Sequence, residues 1–201
     1  MSKNKLWSDH SSMKRITENF RRFTEEEEFE TDTVENGLRY LNITLSLEGE
    51  PHKDEPTVSL LAAQVKDLDS DETRSLGRGQ PEEQQSLLYK LDPYLRTMNG
   101  MMAALQQNQT DYPALYEKYP VLNQVVQRIT TLLTASAQAT SKMIKMGEHD
   151  TSKMDQVPIW IWNKPTGPIQ TFEKVQKVVE QYKNIAQQIA GATGEETPET
   201  P

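Results

Sequence analysis

The sequence predicts a mainly α protein: an elongated helical bundle with heptad-like helices, a strand or β-hairpin in its N-terminal region, and disordered termini. Three observations lead there. Apolar residues recur at steps of three and four along three stretches of the chain, the spacing of helices that pack at a shallow angle. Only 35% of the 201 residues are hydrophobic and the mean hydropathy is −0.75, which suits a modest core with polar flanks. Cysteine is absent, so neither a disulfide scaffold nor a thiolate zinc site can stand in for that core.

The charge is unevenly placed, and its pattern says more than the net −8. Residues 1–23 carry six Lys/Arg against two acids, a surplus of +4. Residues 24–72 carry fifteen acids against three bases, a surplus of −12, and the remainder sums to zero. Such a balance disfavours nucleic acid as a direct ligand, because phosphate contacts need positive charge at the site. No apolar run approaches the ~18 residues needed to span a bilayer. The start of the chain is basic but has no apolar h-region, so no secretory signal is expected. The compartment expected is the cytoplasm, or a virion if the chain is viral.

Taken in order, residues 1–72 form a charge-separated region. Met13, Ile16, Phe20 and Phe23 share one face of an amphipathic helix over 12–30, capped by Ser11 or Ser12, with Lys14, Arg15, Arg21 and Arg22 on the rest. Glu25–Glu28 follow, an order of charges that opposes the helix dipole, so contacts elsewhere must help this helix to form. Leu41, Ile43, Leu45 and Leu47 alternate with polar residues, which predicts a strand over 38–48, paired in a hairpin or with another chain. Thr57 then caps a helix over 57–69 bearing Val58, Leu61, Ala62, Val65 and Leu68, although a second strand over 57–65 fits as well. From Asp69 apolar residues thin out, and Gly77, Gly79 and Pro81 mark 73–81 as a linker.

Residues 82–190 hold the bundle. The three periodic rows are Leu87–Leu91–Tyr94–Met98–Met101–Leu105, Leu122–Val125–Ile129–Leu132–Ser136–Ala139–Met143, and Phe172–Val175–Val179–Tyr182–Ile185–Ile189. Pro93 is expected in the first turn of a helix capped by Asp92, rather than as a kink. The second row predicts a helix over 120–146 that packs against one over 169–190. Between them, Val157–Pro165 reads as an extended strap with Trp160 and Trp162 on one side and Ile159 and Ile161 on the other. The tail 191–201 has nothing to pack and is expected to be disordered.

No motif for catalysis, a cofactor or a metal emerges: phosphate loops, nucleophile elbows and His-Glu-x-x-His are missing. His149 with Glu148, Asp150 and Asp155 is one imidazole among scattered carboxylates, a pattern more typical of a solvated loop. Thr134–Ser141 is small and polar, and reads as an ambivalent stretch with a tight contact at Ser136 and Ala139. The expected function is therefore a non-enzymatic interaction or assembly protein that works by self-association or by scaffolding a protein partner.

The partner-binding candidates are Arg15, Ile16, Phe20, Arg21, Arg22 and Phe23 of the first helix, with Trp160 and Trp162 of the strap. The same two segments would pack on their own core if no partner used them. Met13–Glu28 resembles the short amphipathic leaders of internal head proteins of tailed phages, over 16 residues, and that resemblance implies a structural protein of a virus or phage. The alternative is an accessory module that reaches a nucleic-acid-processing complex through helix 13–23.

Overall fold

The computed structural model describes residues 34–48 and 55–193, with side chains as far as Ile189. Among these residues the regular structure is helical and contains no strand. In chain order the helices are α1 (Val34–Thr44), α2 (Val58–Leu68), α3 (Asp71–Arg78), α4 (Pro81–Asp111), α5 (Pro113–Lys118), α6 (Val121–His149), a 3-10 turn (Thr151–Lys153), α7 (Gln156–Asn163) and α8 (Pro168–Thr193). Helices α2, α4, α6 and α8 close a ring in which each touches two neighbours: α2 against α4, α4 against α6, α6 against α8, and α8 against α2. Helices α1 and α5 cover one end of the ring, while α3, the 3-10 turn and α7 cover the other.

The periodic rows explain this packing. On α4, Leu87, Leu91, Tyr94, Met98, Met101 and Leu105 are all fully buried. On α6 the row begins as expected at Leu122, Val125 and Ile129, then passes to Leu133, Ala137 and Ile144, leaving Leu132, Ala139 and Met143 half-buried. A straight helix has 3.6 residues per turn, so a strict three–four row rotates about 20° per heptad away from a fixed interface. The α6–α8 contact is present, and Val175, Val179, Tyr182 and Ile189 of α8 lie in the core.

Four expectations are revised. The strand expected over 38–48 is instead helix α1. Leu41 and Leu45, four apart, satisfy a helical step as well as an alternating one, and a short apolar run cannot choose between them. Contact chooses: a Cβ at Gly37 would lie 2.7 Å from Tyr112 Cβ, and the Gly37 carbonyl accepts from Asn108 Nδ2 at 3.0 Å. The next helix does run over Val58–Leu68, with Thr57 Oγ1 accepting from the Leu60 amide at 3.3 Å.

Pro93 lies inside α4 rather than at its start. The amide it lacks would have met the carbonyl of Tyr89, and both residues sit on the exposed face, where water can take that carbonyl. Much of the segment read as a linker over 73–81 is helix α3. Its breakers mark helix ends, with Ser70 capping the Thr73 amide and Pro81 opening α4. The strap is also helical rather than extended over Gln156–Asn163, so Trp160 and Ile161 are both buried while Ile159 is 50% exposed.

Candidate interaction surfaces

The structure accounts for both strap tryptophans within the fold. Trp160 is 3% exposed, and its indole N–H donates to Thr166 Oγ1 at 3.3 Å. Thr166 in turn offers its carbonyl to Ser136 Oγ at 3.0 Å, and Tyr94 OH donates to Ser136 Oγ at 3.1 Å. One buried polar chain thus ties α4, α6 and the turn before α8. That turn requires glycine, because a Cβ at Gly167 would fall 2.1 Å from the Trp160 carbonyl oxygen. Trp162 is half-buried: its N–H donates to the Leu68 carbonyl at 3.2 Å, and the Arg74 guanidinium lies 5.5 Å from its ring centroid. Neither ring is presented freely to a partner. The other candidates, Arg15, Ile16, Phe20, Arg21, Arg22 and Phe23, lie outside the described residues.

At the opposite end, tyrosines pin α1 to the bundle. Tyr182 OH donates to Asn42 Oδ1 at 2.6 Å, Tyr116 OH donates to Asn108 Oδ1, and the rings of Tyr40 and Tyr112 lie 6.4 Å apart. Burial holds the phenols of Tyr40, Tyr94, Tyr116 and Tyr182 well above their ordinary value near 10, because a phenolate there would lose its hydration. The neutral hydroxyls of Tyr94, Tyr116 and Tyr182 act in hydrogen bonds that fix how the helices meet.

Near His149, Asp150 caps the 3-10 turn by accepting from the Ser152 amide at 3.2 Å, and it pairs with Lys153 at 2.9 Å. The Ser152 hydroxyl also donates to Asp150 Oδ1, and this bond first, then the Lys153 pair, favours the charged carboxylate and lowers its pKa. Among the described residues, no group of three or more His, Cys, Asp or Glu is placed to hold a metal ion. No described helix is long and apolar enough to cross a membrane.

Two open grooves lie on opposite sides of the ring. The first, about 690 Å³, runs between α4 and α6 and is lined by Gln109, Asn123, Gln127, Thr131, Thr134 and Gln138 among others. Every lining residue is uncharged. Gln109 Nε2 donates to Asn123 Oδ1 at 3.1 Å across it, and Thr134 Oγ1 contacts Met102 Sδ at 3.1 Å. Sequence reasoning treated only Thr134–Ser141 of this surface and missed its extent. The available signal was charge depletion: residues 97–141 contain four charged residues in 45, against 26% over the chain. Ser136 within that stretch is buried in the tight contact expected of it, whereas Thr131, Ala135 and Gln138 face outward.

The second groove, about 790 Å³, lies between α2 and the start of α8. Ala62, Ala63, Ile169 and Phe172 give it apolar walls, and Asp67, Asp69, Asp71 and Glu173 surround them with Lys66. Lys90 already holds Asp67 at 2.8 Å and Arg74 holds Asp69 at 2.5 Å, with both carboxylates exposed and both cations half-buried. Asp71 and Glu173 make no ion pair among the described residues. Comparison with known proteins finds no matching family model, no matching curated protein and no matching solved structure.

Proposed function

We propose that this is a non-enzymatic helical interaction protein that self-associates through the uncharged face of α4 and α6. The observation that carries the reading is the chemistry of that face: amides and hydroxyls in place of charge. Depletion of charge marks the centres of protein interfaces. Each amide or hydroxyl both donates and accepts, so a surface of Gln, Asn and Thr is complementary to its own image across a two-fold axis. A surface of single-sign charge would repel its copy instead.

The size is adequate for a pair of copies. The uncharged row from Asn123 to Ser141 is about 27 Å long at 1.5 Å per residue. With α4 beside it at an interaxial distance of about 8–10 Å, the face offers roughly 600 Å² per copy. Two copies would bury about 1,200 Å², the lower edge of the range for specific complexes. Association should therefore depend on concentration.

Sedimentation equilibrium over a wide concentration range tests this. A dimer is expected, and it should persist in high salt because no charge pairs hold it. Thr131→Glu combined with Ala135→Glu places like charges on exposed positions and should give a monomer that melts as the parent does. A parent that is monomeric throughout, or a double variant that associates as the parent does, would remove the basis of the proposal.

A further inference from the structure

We infer that the groove between α2 and α8 is the docking site for the chain's own basic segment, Met13–Phe23, bound within the same molecule. This inference is independent of self-association, because it concerns the opposite side of the ring. Three observations support it.

The first is shape and polarity. The groove has small apolar walls at Ala62 and Ala63, larger ones at Ile169 and Phe172, and a polar rim. An amphipathic helix lies in such a groove through side chains spaced at i, i+3 and i+7. Met13, Ile16, Phe20 and Phe23 have that spacing, and between them they carry two of the four phenylalanines in the chain.

The second is charge. The segment holds Lys14, Arg15, Arg21 and Arg22 against one acid, Glu18. The groove lining holds four carboxylates against Lys66. Two of the four have cationic partners, yet their carboxylates are exposed, so an incoming arginine can share them. Asp71 and Glu173 stand ready for two more.

The third is reach. Tyr182, bonded to Asn42 of α1, lies ten residues beyond Phe172 on α8, about 15 Å along the axis. From Asn42 back to Val34 is about 12 Å along α1. The ten residues 24–33 between Phe23 and Val34 extend to about 35 Å. The segment can therefore reach its own molecule's groove, where tethering gives it a high effective concentration that a separate copy must match.

The chain has no cysteine, so a designed pair reports proximity without interference. The test is Phe20→Cys with Ala63→Cys in the full chain, oxidised at low protein concentration and run on a non-reducing gel. A control pair joins Phe20→Cys to Thr131→Cys on the opposite face. The expected result is an intramolecular disulfide in the groove pair, formed at least about tenfold faster than in the control and slowed as salt rises to about 0.5 M. Asp71→Lys with Glu173→Lys should abolish that advantage, and adding Arg21→Glu with Arg22→Glu should restore it. Circular dichroism confirms that each variant keeps its helices.

Equal rates for the two pairs would overturn the inference. So would a disulfide that appears only between molecules, which would assign the groove to a second copy. Neither outcome bears on the α4–α6 face, whose test is the molecular mass.

Discussion

Replacing Trp162 with phenylalanine separates a ring that holds the fold from one that waits for a partner. The substitution removes the donor to the Leu68 carbonyl, one of the last four carbonyls of α2, which have no partner inside their own helix. Leaving it unpaired costs about 1–3 kcal/mol. Arg74 loses part of its attraction to the ring, at most about 0.5 kcal/mol at an exposed site. A loss near 2 kcal/mol is expected, or a midpoint lowered by about 4–8 °C for a chain of this length.

Gly77→Ala supplies the complementary measurement. Its new methyl would lie 2.6 Å from Cζ3 and Cη2 of Trp162, the part of the indole that phenylalanine lacks. Alanine at 77 should therefore be costly in the parent and cheaper in the Trp162→Phe background. Urea titration of the four proteins, followed by circular dichroism, gives the coupling directly. If Trp162→Phe shifts stability by less than about 0.5 kcal/mol, the scale of an ordinary surface change, and alters the association state instead, the ring serves a partner and the packing argument fails.

Four further outcomes are expected. Ile129→Asp buries a charge at a fully buried position and should unfold the bundle, whereas Leu132→Asp, at the half-buried edge, should leave it folded; equal effects in circular dichroism would mean the two positions are not distinguished by burial. Pro93→Ala restores an amide on an exposed face and should raise stability by about 1–2 kcal/mol, from a helix preference of about 3 offset by greater freedom in the unfolded chain; a lowered midpoint would show that proline packs usefully there. The buried phenols keep their protons in the folded state above pH 10 while the unfolded chain loses them, so their contribution is complete below about pH 10 and declines above it by about 1.4 kcal/mol per pH unit for each tyrosine. Tyrosinate absorbance and loss of helix should then rise together, and ionisation with the helices intact would contradict the burial. Removing residues 194–201, which are only Gly, Glu, Thr and Pro, should leave the melting midpoint within error, and a loss of several degrees would show that they pack.

The sequence by itself determined the helical class, the three long periodic rows and the Thr57 cap. Each follows from spacing within one segment, and spacing is a local property. What only tertiary structure decided lies where one local pattern has two solutions. The apolar run at 38–47 fits both a strand and a helix, and the close approach of Gly37 to Tyr112 selects the helix. The strap could have been extended, but Trp160 finds Thr166 and Trp162 finds Leu68 only when it coils, and Gly77 leaves the room for that second ring. Pro93 could have begun a helix, yet on the solvent side of a buried row its missing bond costs too little to stop one. The uncharged face was written in the sequence as a gap in the charges, but it became a surface only when α4 and α6 were set side by side. Periodicity tells which side of a helix is apolar. It does not tell which neighbour will cover that side, and that choice belongs to the whole chain.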